Sequence, residues 1–248
     1  MGTQNDERDP VLLSDRTAIL IDGAFYRRRA YHLFGDKDPS ARADELVSYC
    51  MRHLANGGYR NRLYRIFYYD CPPLSTSLYH PLLQKAIPMD RTDVFTWSEE
   101  FYKALANKRK VALRMGKLQE KESGYRISDR AVKKLCRREI TVDDLSINDF
   151  VPNFVQKGVD MRIGIDIATL ASKHQVDQVV LIAGDSDFVP AAKHARREGL
   201  DFVLDPMWQK IRPELNEHID GLRSCTAKFP NPETERLHVD YKLQEQDR

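Results

Sequence analysis

Cysteine is scarce in this chain. The four present, Cys50, Cys71, Cys136 and Cys225, lie far apart, with no CxxC pair and no histidine at zinc-finger spacing. This argues against a structural zinc site and a disulfide framework, and leaves each thiol as a small, usually buried hydrophobe. The seven histidines form no HExxH or comparable cluster. The chain also lacks a GxxxxGK[ST] phosphate loop and a GxGxxG dinucleotide turn, which disfavours nucleotide-driven chemistry of those kinds. No apolar run approaches the roughly 20 residues of a membrane helix. Met1 to Asp15 is polar, with no basic start leading into an apolar stretch, so it does not read as a secretory signal. A cytoplasmic protein with no membrane partner is expected.

Net charge is also small, at +2, but it is unevenly spread. From Lys103 to Arg138 there are thirteen Lys or Arg and three Asp or Glu, a local balance of +10 that leaves −8 for the rest. Such an excess suits a polyanion, although a solvated helical face is the plainer explanation of a charge run. The hydrophobic fraction of 42% with 31% charged residues is ordinary for a globular domain. The length supports one elaborated domain over 16–227, with a basic insertion at about 75–149, between a flexible N-terminus (1–15) and a polar, Pro-interrupted tail (228–248).

Apolar runs ending in aspartate stand out. Ala18 to Ile21 ends at Asp22, and the aromatic and β-branched strand pattern from Leu63 to Tyr69 ends at Asp70. Val179 to Ile182 leads into Ala183-Gly184-Asp185-Ser186-Asp187-Phe188. Helical patterns at Ala41–Leu54, Val159–Ser172 and Phe188–Glu198 alternate with these strands, which predicts a mainly parallel sheet with helices on both faces. Ligands of open α/β sheets gather at the carboxyl ends of the strands, so Asp22 and Asp185 are expected to converge there. Asp160 opens the Val159 helix one turn before the apolar Ile163 and can point over the same edge.

Each aspartate taken singly is equally well explained as a helix cap or a turn residue. Taken together, several carboxylates at one sheet edge would repel one another unless a cation stood between them. Oxygen donors without clustered His or Cys favour Mg²⁺ or Mn²⁺. Asp166 differs, because its i, i+4 spacing from Arg162 predicts a surface ion pair. Arg27 and Arg28 behind Asp22, Lys157 before Asp160, and Lys108, Arg109, Lys110 and Arg114 in the basic middle are candidate phosphate contacts. Tyr68, Tyr69 and Asp70 can line the cleft, with Tyr69 stacking on a base, or can be ordinary strand packing.

Ile19-Leu20-Ile21-Asp22-Gly23, Gln156-Lys157-Gly158-Val159-Asp160-Met161-Arg162 and Ala183-Gly184-Asp185-Ser186-Asp187-Phe188 together resemble the three acidic motifs of NYN domains. The likeness is to the bacterial LabA-like branch, within the PIN-like nuclease superfamily, and runs from about Arg16 to Leu204. It implies a three-layer α/β/α fold and metal-dependent endoribonuclease activity leaving 5′-phosphate and 3′-hydroxyl ends. It also implies Asp22, Asp160 and Asp185 as catalytic Mg²⁺ or Mn²⁺ ligands, with Asp187 as a further catalytic ligand or water-orienting group. One departure stands beside it: many NYN domains carry Asn shortly after the first aspartate, where this chain reads Gly23-Ala24-Phe25. An RNA- or protein-binding module without turnover, a homodimer among its assemblies, therefore stays open. A small phosphate-ester hydrolase is a further alternative, weakened because Asp22-Gly23-Ala24 lacks a DxD pair.

Overall fold

The computed structural model of the protein describes residues 14–56 and 59–226. The polar ends expected at 1–15 and 228–248 lie outside the described residues, save Ser14 and Asp15.

The chain runs through β1 (Arg16–Asp22), α1 (Gly23–Phe34), α2 (Pro39–His53), β2 (Ala55–Asn56), β3 (Tyr59–Arg60) and β4 (Arg62–Asp70). A hairpin of β5 (Ser77–His80) and β6 (Lys85–Pro88) leads to α3 (Asp93–Ala106) and β7 (Val111–Met115). An antiparallel ribbon, β8 (Lys117–Ile127) with β9 (Phe150–Lys157), encloses α4 (Asp129–Cys136). Then come α5 (Val159–Ser172), β10 (Gln178–Ile182), α6 (Val189–Arg197), β11 (Asp201–Asp205), α7 (Pro213–Asn216) and β12 (Gly221–Leu222).

Six strands form one parallel sheet in the order β12-β11-β10-β1-β4-β7. Side chains alternate across a strand, and the two faces have separate cores. Ala18, Leu20, Val179 and Leu181 pack with α5 and α6 residues such as Ile163, Ile167, Ala192 and Ala195. Ile19, Ile21, Val180 and Ile182 pack with α1, α2 and α3 through Tyr26, Leu46, Tyr49, Phe101 and Leu105. Burial on both faces explains why β1 and β10 are continuous apolar runs, each fully buried Leu or Ile contributing about 1.5–3 kcal/mol. The result is the three-layer α/β/α architecture expected for a PIN-like fold.

The basic middle is only partly an insertion. Its α3 and β7 belong to the layers, with β7 as the edge strand beside β4. The additions outside the layers are the β5–β6 hairpin, the β8–β9 ribbon and α4. The apolar pattern from Val111 to Leu118 is two strands, because the chain turns at Gly116, whose N–H donates to the Asp70 carbonyl at 2.6 Å.

From β1 the chain moves outward to β4 and β7, then returns to β10 on the other flank of β1 and continues to β11 and β12. The order therefore reverses between β1 and β10, which opens a crevice outside their carboxyl ends. Ile21 pairs with Ile182, so Asp22 and Ala183 leave the sheet side by side.

Candidate functional site

Asp22 caps α1, its Oδ1 accepting the Phe25 N–H at 3.1 Å. Burial pushes its carboxyl up to about 6. The Phe25 N–H and the nearby Arg28 oppose that rise, while the charges of Asp160 and Asp70 add to it. Asp160 stands exposed in the first turn of α5, and partial desolvation and the charges of Asp185 and Asp187 raise it as well. Asp185 caps the turn that follows β10, its Oδ1 accepting the Asp187 N–H at 3.1 Å, and both carboxylates are exposed. The capping explanation is thus realised for Asp22 and Asp185. It does not account for the mutual repulsion that links Asp22 to Asp160 and Asp160 to Asp185 and Asp187.

A fifth carboxylate belongs to this edge. Asp70, fully buried at the end of β4, lies so close under the start of α1 that a Cβ on Gly23 would sit 2.6 Å from its Oδ2. Its charge is answered by Arg27 at 3.0 Å, with the Tyr68 hydroxyl at 3.2 Å and the Cys71 N–H at 2.8 Å. The signal was visible in the sequence, since Asp70 closes a strand pattern as Asp22 does.

The structure separates the expected cations. Consecutive residues on a helix point about 100° apart, so Arg27 is spent on Asp70, Arg28 is exposed beside Asp22, and Arg29 is buried with its guanidinium on the Met207 carbonyl at 2.6 Å. Lys157 is exposed beside Asp160, and its strand partner is Lys117. These two with Leu118, Gln119, Gly158 and Arg162 line a basic notch against the acidic edge. Lys117 was missed as a candidate contact because nothing in the sequence pairs β8 with β9, and Arg162 because its spacing assigned it to Asp166.

Other expectations fail on geometry. Lys108, Arg109 and Lys110 precede β7, and Val111 is level with Ile66, so they sit at the amino end of the sheet, opposite the carboxylates. Lys108 pairs there with Asp44 at 2.5 Å, and Lys110 reaches the Leu63 carbonyl. Tyr69 is fully buried, with its hydroxyl on Asp166 at 2.7 Å, so no ring face is open to a base. Arg114 joins the same Asp166 at 3.2 Å and lies over the Phe67 ring. The predicted Arg162–Asp166 pair is absent, since Arg162 donates to the Gly158 carbonyl at 3.1 Å instead. Asp166 keeps a structural role with partners from β4 and β7.

Phe25 closes the crevice from one side. It is 4% exposed, and a Cβ on Gly184 would fall 2.5 Å from its ring. Glycine at 184 is what lets the strand exit pass under this aromatic. Among the described residues no group of three or more His, Cys, Asp or Glu side chains is set to hold a metal ion. The donors nevertheless fit a hard cation in kind, all being carboxylate oxygens whose charges press on one another.

Residues 99–217 match the NYN domain family. NYN domains fall within the PIN-like nuclease superfamily, so the match points to nuclease-type hydrolysis and a nucleic-acid substrate. The NYN match begins inside α3 and takes in Asp160, Asp185 and Asp187, while Asp22 and Asp70 precede it. No curated protein matches the chain. Among solved structures, a Vibrio parahaemolyticus protein of unknown function is 14% identical, with 92% of this chain and 99% of that one covered and a TM-score of 0.43. A structure described for the mechanism and regulation of Sir2 enzymes is 12% identical, with 91% and 94% covered and a TM-score of 0.32. Both likenesses are too distant to bear on function. Among the described residues no helix is long and apolar enough to cross a membrane.

Proposed function

We propose that the protein is an RNA endonuclease centred on Asp22, Asp160 and Asp185, with Mg²⁺ or Mn²⁺ as its cofactor. The observation that carries this reading is the group of carboxylates at the β1/β10 switch point, where burial first and one another's charges second hold Asp22 and Asp160 above their ordinary range. Asp22, Asp160 and Asp185 would hold the cation, which supplies countercharge and activated water for in-line displacement at phosphorus. Asp187, whose charge also presses on Asp160, would orient the attacking water. Asp70 is neutralised by Arg27 and keeps the floor of the crevice in place. Lys117, Lys157 and Arg162 grip the phosphodiester backbone on the α5 side, and Arg28 faces it from α1. The reading includes the LabA-like affiliation, a cytoplasmic setting and a homodimer as assembly.

The test is cleavage of labelled single-stranded RNA, single-stranded DNA and a generic phosphate ester with Mg²⁺, Mn²⁺ or EDTA, beside Asp185→Asn. RNA cleavage that needs the metal and is lost in Asp185→Asn is expected. Undiminished cleavage by that variant sinks the site assignment. A second reading, binding without turnover, is favoured by Phe25 filling one side of the crevice, and RNA binding without cleavage under every metal condition would establish it.

A further inference from the structure

The loop after β11 is built with unusual effort. Met207 and Trp208 both have left-handed backbones, with φ of 45° and 65°, a conformation that residues with a Cβ avoid and that persists only where the surroundings impose it. Here a buried network imposes it. Asp205, fully buried at the end of β11, accepts the Met207 N–H at 2.7 Å and the Ser224 hydroxyl at 2.8 Å on Oδ1. Its Oδ2 takes the Tyr49 hydroxyl at 2.5 Å and His53 Nε2 at 2.8 Å. Arg29 holds the Met207 carbonyl from α1, and Trp208 N–H donates to Ser224 Oγ at 3.1 Å.

All of this presents one side chain outward. Trp208 is 40% exposed, yet its indole N–H is tied to the Thr226 carbonyl at 3.0 Å, so the ring is both open and fixed. It borders a surface cavity with Pro206, Gln209, Leu222, Arg223 and Ser224. Lys210 and Arg212 follow it, exposed and without an ion-pair partner among the described residues. Ile182 pairs with Asp205, so the segments leading to Asp185 and to this loop leave the same sheet edge from neighbouring strands, which lie about 4.8 Å apart. An open, immobilised aromatic beside free cations is the chemistry that binds unpaired bases with their phosphates.

We propose that Trp208 is a stacking platform for an unpaired base of the RNA, with Lys210 and Arg212 on the adjoining phosphates. The strand would then cross the acidic crevice from the Lys117–Lys157 notch to this loop. The inference rests on the nuclease reading and adds its selectivity for single strands. The chain has two tryptophans, and Trp97 is half-buried with its indole N–H on the Lys37 carbonyl, so Trp97→Phe leaves Trp208 as the only reporter. In EDTA, titrating a short fluorescein-labelled single-stranded oligoribonucleotide should quench Trp208, and the same sequence as a duplex should not. By anisotropy, Trp208→Ala should weaken single-strand binding roughly tenfold and Trp208→Tyr should restore most of it. Affinity of Trp208→Ala within about twofold of the parent, or no quench at saturation in Trp97→Phe, overturns the inference even where cleavage is intact. If Trp208→Ala fails to fold, the quench decides alone. Absence of any RNA binding by the unmodified protein sinks this inference together with the nuclease reading, whereas a normal quench with no cleavage sinks only the nuclease reading.

Discussion

Replacing Asp22 by Asn should make the metal-free protein more stable at neutral pH. Burial and the neighbouring charges of Asp160 and Asp70 move this carboxyl from 3.8 to about 6. At about 1.4 kcal/mol per tenfold change in proton affinity, that corresponds to about 3 kcal/mol against folding once the group is ionised. Asp22 keeps some solvent contact, which reduces the effect to about 1–2 kcal/mol. Because the folded state holds the proton more tightly, stability falls as pH rises from about 4 to 6 and stays low above that. Asn removes the charge but still caps α1, since its side-chain oxygen can accept the Phe25 N–H. In EDTA at neutral pH Asp22→Asn should therefore unfold a few degrees higher, at about 2–4 °C per kcal/mol for a chain of this size, with the difference gone near pH 4. Mn²⁺ should raise the parent's Tm and narrow the gap. An Asp22→Asn variant that unfolds no higher than the parent in EDTA at neutral pH would refute the idea that burial and the neighbouring charges strain the ionised Asp22.

His53 gives a pH dependence of the same sign in a higher window. Burial alone would lower its pKa, but the hydrogen bond to Asp205 and the adjacent Cys225 outweigh it and lift it to about 9. Stability from this pair is complete below pH 6.5 and lost as pH climbs through about 9, so Tm should drop there, and His53→Gln should flatten that limb. Substituting Lys108, Arg109 and Lys110 together by Ala should leave RNA affinity by anisotropy unchanged, because they occupy the far end of the sheet, while Lys117→Ala with Lys157→Ala should weaken it and lessen its salt dependence.

Much of the fold was legible because β1 and β10 are buried on both faces and so appear as unbroken apolar runs. Their terminal residues could be predicted to meet, since strand direction alone puts Asp22 and Asp185 at one edge. Asp70 carried the same signal at the end of β4. The basic middle was harder to read, because whether a strand joins a sheet depends on partners remote in sequence. Val111 to Met115 finds its place only against Ile66 to Asp70.

Charged side chains were legible in kind and not in direction. Spacing predicted Arg162 beside Asp166, whereas packing brought Tyr69 and Arg114 to that carboxylate from β4 and β7. Three successive arginines after Asp22 looked alike in sequence, and the turn of α1 sent one to Asp70, one to solvent and one to Met207. Sequence by itself determined the architecture, the sheet edge and the aspartates that occupy it, because apolar periodicity and strand polarity are local properties. Only the tertiary structure decided which charges press on one another, which tyrosine is sealed away, and that Trp208 stands open at the same edge, because those depend on contacts between residues far apart in the chain.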